Sequence, residues 1–470
     1  MSILIKNGTV ITHGGRQFAD VLVEVDKVVA IAAPGAHSWQ TDHVIDASGK
    51  YVIPGGIDVH THMELPFGGT AASDTFETGT RAAAWGGTTT IIDFAVQTKG
   101  QGLMDGYESW MAKAEGNCAI DYGFHLIVGD VNEQSLKEMD IALDEGVTSF
   151  KMFMAYPGVF YSTDGEIFQA MQKAAENGST IMMHAENGIA IDVLIAQALT
   201  RGETDPIYHG IVRKSVLEGE ATHRAIKLAE VAGCPLYIVH MSALEALAEV
   251  TNARDEGLNV FAETCPQYLF LDLDDLGNGF EGAKYVCSPP LRDRAEGHHE
   301  ALWSGLATND LQVVSTDHCP FCFEDHPELG RQKRLGEGDF SKIPNGLPGV
   351  EHRVELIYHG AVAEERLSLE RWVEVCSTTP ARMFGLYPRK GTIAVGSDAD
   401  IVVFDPDRRH TLSAATHHMR TDYSCYEGLE IKGGVDTVLL RGKVIISANE
   451  YQGRKGDGQY LRRDLNQYLV

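Results

Sequence analysis

The chain lacks any run of 18 or more apolar residues, which leaves no candidate for a membrane-spanning helix. Its first residues, MSILIKNGTVITHGG, lack the basic start and long apolar stretch of a secretory signal, so a cytoplasmic protein is expected. Positive charge is scarce: 39 Lys and Arg face 66 Asp and Glu, a formal net charge of −27. Such a field repels phosphate backbones and anionic bilayers, so neither nucleic acid nor membrane is an expected partner. Eight cysteines in 470 residues are too sparse for a disulfide framework and imply reduced thiols. The one C-x-x-C, Cys319 to Cys322, has no second pair to complete a zinc knuckle and is given no role. No Gly-x-Gly-x-x-Gly follows an early strand, which counts against a doubly wound dinucleotide fold.

What is present is alternation. Apolar runs at 52–59, 88–94, 122–128, 149–154, 180–183, 236–239, 259–263 and 311–316 read as strands. Between them lie amphipathic stretches at 74–85, 132–144, 166–176, 217–232 and 243–254. Eight strands separated by helices, several of them continuously apolar, predict an α/β fold: a (β/α)8 barrel buried on both faces of its sheet. The ends differ. Residues 1–52 and 391–446 hold short strands with hairpin punctuation at Asn7-Gly8 and Arg441-Gly442. We expect 53–377 to form the barrel. Residues 1–52 and 378–470 are expected to join in a small β-sandwich domain with a polar C-terminal arm.

Barrels of this kind carry chemistry at the C-terminal ends of their strands. Those ends hold His60 and His62, then Lys151, His184, His240 and Asp317. His60 and His62 share a strand face, because side chains alternate. One histidine at a strand end is ordinarily a hydrogen-bonded structural residue; four on one rim suggest a metal site. Lys151, between Phe150 and Met152, is costly to bury as an ammonium. Desolvation favours its neutral amine, which can capture carbon dioxide as a carbamate able to bridge two metals. A Schiff-base or substrate-pairing lysine is the alternative.

Long motifs then meet a family: PGGIDVHTHMELPFGGT (54–70), GGTTTIIDF (86–94), GVTSFKMFMAYPGVF (146–160), MMHAENG (182–188), EGAKYVCSPPLRD (281–293), STDHCPF (315–321) and IPNGLPGVEHRVELIY (343–358). The sequence resembles the metal-dependent amidohydrolases, and among them the cyclic amidases of the dihydropyrimidinase and D-hydantoinase type. The resemblance implies two divalent metal ions per subunit, with zinc the best match to the donor set. They would be held by His60, His62, His184, His240, Asp317 and N6-carboxylated Lys151. It further implies a metal-bridging hydroxide as nucleophile, Asp317 as proton shuttle and Tyr156 as donor to the developing oxyanion. Ser288 and Asn345 match positions whose backbone groups hold the imide edge of the ring. Leu65, Phe67, Phe153 and Phe160 match an apolar gate for the ring substituent, with ordinary core packing as the other reading. The implied substrate is a small cyclic amide, a dihydropyrimidine or 5-substituted hydantoin opened to an N-carbamoyl amino acid. The implied assembly is a homotetramer.

Within this family, relatives that open carboxylated or ureido rings place an arginine soon after the His-x-His pair. Here Glu64 stands at the position used by dihydroorotases, and the next arginine is Arg81. An allantoinase-like or other cyclic ureide hydrolase is the alternative activity. A non-catalytic assembly protein of the same family is the alternative class, set against retention of all six ligand positions.

Overall fold

A computed structural model describes residues 1–469; Val470, the last residue of the expected arm, lies outside the described residues. Eight parallel strands pair in chain order: Gly56–Thr61, Thr88–Val96, Asp121–Ile127, Ser149–Phe153, Thr180–His184, Leu236–Ile238, Val260–Thr264 and Val313–Val314. Several of the helices between them begin on a Thr or Asn side-chain cap. Thr75, Asn132 and Thr163 each accept a backbone N–H from the first turn of the helix that follows. Gly178 and Gly233 end two helices at φ of 78° and 73°, where a Cβ would be strained.

Strands one and eight share no ladder. The gap is closed by a single bridge from Thr61 to His318 and by Asp58, which accepts from the Thr316 hydroxyl at 2.6 Å and the Thr316 N–H at 3.2 Å. The barrel is therefore nearly closed, and its seam lies directly beneath His60 and Asp317. Strand eight is shorter than the sequence suggests: its ladder is limited to Val313–Val314, flanked by Gln312 N–H to Ala262 and Ser315 N–H to Thr264, and from Thr316 the chain turns to Asp58.

Side chains facing into the barrel, including Ile57, Phe94, Met182, Tyr237 and Phe261, form one core; those facing the helices belong to a larger one. Leu461 packs into the inner core. The C-terminal tail runs past the N-terminal ends of the strands, with Tyr122 N–H donating to Gln459 and Leu461 N–H to Tyr122. Arg463, 3% exposed, donates to Ser149 Oγ at 3.0 Å. This arm, whose order is not readable from its polar composition, seals the face opposite the strand ends that carry the histidines.

Two short strands, Pro66–Phe67 and Thr70–Ala71, pair with each other; the other strands come from both chain ends and pair into one nine-stranded sheet with a core of its own, built on Ile5, Val21, Val52, Ile401 and Val403. Two local expectations change. The apolar run 52–59 is split, its first half (Tyr51–Pro54) joining this sheet and its second half opening the barrel. Asn7-Gly8 is not a hairpin turn: Ser2–Thr12 is one strand, bulged between Ile5 and Gly8, with Asn7 at φ 60°. A bulge and a tight turn both need a left-handed residue, so the dipeptide alone does not separate them. Arg441-Gly442 does form the expected two-residue turn, at φ of 43° and 72°.

Candidate active site

The strand ends converge on one cleft. His62, Leu65, Phe67, Lys151, Phe153, Tyr156, Phe160, His184, His240, Ser288, Asp317 and Asn345 all line it, together with Ile127, Cys319 and Gly346. His60, fully buried, sits beneath them. Its Nε2 is 3.2 Å from His62 Nε2 and 2.9 Å from Lys151 Nζ, and both histidine nitrogens lie 3.1 Å from Asp317 Oδ1. Across the cleft, His184 Nδ1 is 2.9 Å from His240 Nε2. His60, His240 and Asp317 each place a donor atom within 4.8 Å of the others.

Nitrogen lone pairs this close repel unless a proton or cation lies between them, and the outer ring nitrogens show how they are aimed. His60 Nδ1 bonds Glu263, whose other oxygen accepts from Tyr237 Oη at 2.9 Å. His184 Nε2 bonds Glu186 Oε2 at 2.8 Å, which also accepts from Arg213 Nη1 at 3.1 Å. A carboxylate on the outer nitrogen keeps the proton there and leaves the inner lone pair free, the arrangement that suits a metal ligand. Burial lowers His62 to about 4, so it is neutral at pH 7; burial and Lys151 also work against a cation at His60, but Glu263 and Asp317 outweigh them and raise it. This donor set of imidazoles, one amine and one carboxylate fits divalent cations.

Lys151 is 1% exposed and has no carboxylate partner among the described residues; its Nζ lies 4.4 Å from the Phe94 ring centroid. Burial brings its amine down to about 8. Burial also works against ionisation of Asp317, but His60 and His62 outweigh it and hold the carboxyl well below its ordinary range. The Tyr156 hydroxyl, pushed up to about 12 by burial, stays protonated and available as a donor. Tyr156, His240 and Asp317 all have left-handed backbones, at φ of 61°, 41° and 52°. Strain of this kind in non-glycine residues persists where surrounding structure enforces it and clusters at functional sites.

The apolar side of the cleft is aromatic. Phe160 stacks on Phe153 with centroids 4.9 Å apart and lies parallel to Phe67 at 6.2 Å. Glu64 is not among the lining residues. It turns away, its Oε1 accepting from Phe76 N–H at the start of a helix, so this position lacks a cation without placing an anion against the substrate.

Four residues were not anticipated from sequence: Glu186, Glu263, Arg213 and Asp93. Asp93 Oδ2 accepts from Thr61 Oγ1 and Met63 N–H, each at 2.8 Å, and so fixes the residues on both sides of His62. Glu186 had a usable signal, since it lies two residues after His184. Glu263 had one too, as a carboxylate near the end of an otherwise apolar strand.

A fold, a nitrogen-rich strand-end cleft and an acid at its seam define a class, and sequence comparison agrees. The Amidohydrolase family profile matches residues 51–445, and the chain belongs to that family. It is 65% identical to the D-hydantoinase of Streptomyces coelicolor, over 99% of both chains. It is 48% identical to that of Geobacillus stearothermophilus, over 98% of this chain and 97% of the other. Among solved structures, the dihydropyrimidinase from Brevibacillus agri superposes with a TM-score of 0.95 at 47% identity, covering 99% of each chain.

Proposed function

We infer that this protein is a metal-dependent hydrolase of cyclic amides, opening 5-substituted hydantoins and dihydropyrimidines to N-carbamoyl amino acids. The observation that carries this is the convergence of four histidines, Lys151 and Asp317 beside an aromatic wall. The names of its full-length relatives support it. His60, His62, His184, His240, Asp317 and Lys151 would hold two divalent ions, and the imidazole and oxygen donors favour zinc. The chemistry supplied by bound ions is Lewis acidity, which polarises a carbonyl and acidifies water.

The residues of the chain do the rest. Lys151, neutral for part of the time with its amine near 8, takes up carbon dioxide as a carbamate, losing one proton and becoming an anion among the histidines. Asp317 is ionised and accepts the proton of the attacking water, then returns it to the ring nitrogen as the C–N bond breaks. Tyr156 donates its hydroxyl hydrogen to the oxyanion that develops at the carbonyl. Ser288 and Asn345 meet the planar imide edge with backbone groups. Leu65, Phe67, Phe153 and Phe160 surround the substituent at ring carbon 5 and exclude water.

We also propose residues 53–377 as the catalytic unit, with 1–52 and 378–470 as the accessory domain. A homotetramer follows from the family resemblance. A reducing, cytoplasmic setting is supported by eight free thiols, all buried. Initial rates on hydantoin, dihydrouracil and both enantiomers of 5-phenylhydantoin test the reading. Ring opening of hydantoin or dihydrouracil supports it; two equivalents of metal with no opening of any of the four contradicts it.

A further inference from the structure

Two backbone segments, 286–289 and 344–346, bring Ser288 and Asn345 to the cleft, and something must hold them at a fixed separation. Between them lies Lys333, 0% exposed. Its Nζ donates to three carbonyls: Val286 at 3.1 Å, Pro344 at 2.8 Å and Gly346 at 2.9 Å. No carboxylate pairs with it among the described residues, so these three dipoles are what offset the cost of burying the cation. Burial lowers its amine to about 8.

The neighbouring carbonyls are occupied as well. Cys287 accepts from His209 Nε2 at 2.7 Å and Pro289 from Tyr268 Oη at 2.8 Å, while Gly346 N–H donates to Val286 at 2.9 Å. Burial lowers His209 to about 3, so it is neutral, with the proton on Nε2 directed at the Cys287 carbonyl. Among the described residues, no hydrogen bond reaches the backbone N–H or C=O of Ser288 or of Asn345. Every flanking carbonyl is thus held by a donor, while the backbone groups of Ser288 and Asn345, the two residues that line the cleft, stay free, as does the Cys287 N–H among the described residues.

We propose that Lys333 is a positioning residue for recognition of the substrate ring, clamping segments 286–289 and 344–346 so that the free backbone groups of Ser288 and Asn345 meet the imide edge. This rests on the functional reading above. The choice of residue has a chemical reason. One ammonium offers three N–H donors from a single tetrahedral atom, whereas a guanidinium spreads its donors in a plane and an amide offers two. Lys333 does not touch the histidine cluster, so its role separates from metal binding.

The test uses the metal-loaded enzyme with Lys333→Met, which keeps an unbranched side chain one atom shorter and removes every donor, and Lys333→Gln, which keeps two. Metal content, kcat and KM on hydantoin are measured for each. Metal should stay at the wild-type level in both. Because a displacement of about 1 Å in a positioning group costs on the order of 100-fold, Lys333→Met should lose about 10- to 100-fold in kcat/KM. That loss should be carried mainly by KM, with Lys333→Gln in between. An unchanged KM, a loss of metal in step with activity, or failure of both variants to fold would each reduce Lys333 to a structural residue and overturn the proposal. A wild-type enzyme that opens none of the rings overturns the functional reading together with this inference. A competent wild type with an indifferent Lys333→Met overturns the inference alone.

Discussion

Glu186→Gln changes one carboxylate to an isosteric amide two residues from His184, and the structure sets the size of its effect twice over. Glu186 is 1% exposed and its partner Arg213 is 7% exposed, joined at 3.1 Å. Breaking a buried pair by neutralising one member costs about 3–5 kcal/mol, and the amide oxygen still accepts one bond, which favours about 3 kcal/mol. The second route is the carboxyl itself. Burial pushes Glu186 up, but Arg213 and His184 outweigh it and bring it from 4.5 to about 2. Lowering the carboxyl from 4.5 to about 2 is, by linkage, again worth about 3 kcal/mol. The sign follows from linkage. A depressed acid stabilises the fold above its unfolded value of 4.5, and that contribution is lost as pH falls towards 2. Urea unfolding of the metal-free variant at pH 7 should therefore show a loss of about 3 kcal/mol that shrinks below pH 4.5. Metal affinity should also fall about 10-fold, because the amide weakens the hold on the outer nitrogen of His184. A loss under about 1 kcal/mol at pH 7, or one that does not shrink in acid, would refute the assignment of Glu186 as the charged partner of both residues.

Lys151→Ala should lose metal and turnover together, and added short carboxylic acids should restore part of both by standing in for the carbamate; full activity without rescue would exclude a bridging carbamate. Asp317→Asn should retain at least part of its metal but lose about 10²- to 10⁴-fold in kcat, since an amide cannot take up the proton; near-normal turnover contradicts the shuttle. Phe160→Ala removes the ring stacked on Phe153 at 4.9 Å, and the preference for 5-phenylhydantoin over hydantoin should fall about 10- to 200-fold, the range for an apolar pocket contact. An unchanged preference would mean that Phe160 is only packing.

Much of this was legible because barrel strands are short, apolar and end in polar residues. His60, His62, Lys151, His184, His240 and Asp317 each lie in or just beyond an apolar strand run, and the barrel brings such strand ends to one rim. The supporting carboxylates were harder to see. Glu263 reaches His60 across 203 residues, and nothing local announces that pairing. Glu64 was half legible: its type excludes a carboxylate-binding cation, but only the structure shows the side chain turned to Phe76. The seam at Asp58 and the tail that seals the barrel with Leu461 and Arg463 depend on long-range backbone geometry, which hydropathy and turn propensities do not encode.

The central claim is that bound divalent metal makes this cleft a cyclic amidase. Stripping the enzyme with a chelator, restoring zinc stepwise and following hydantoin opening by the appearance of its N-carbamoyl product tests that claim directly. Activity should vanish in the stripped protein and rise with zinc until two equivalents are bound. Opening of hydantoin by the metal-free protein, or none at two equivalents, would contradict it.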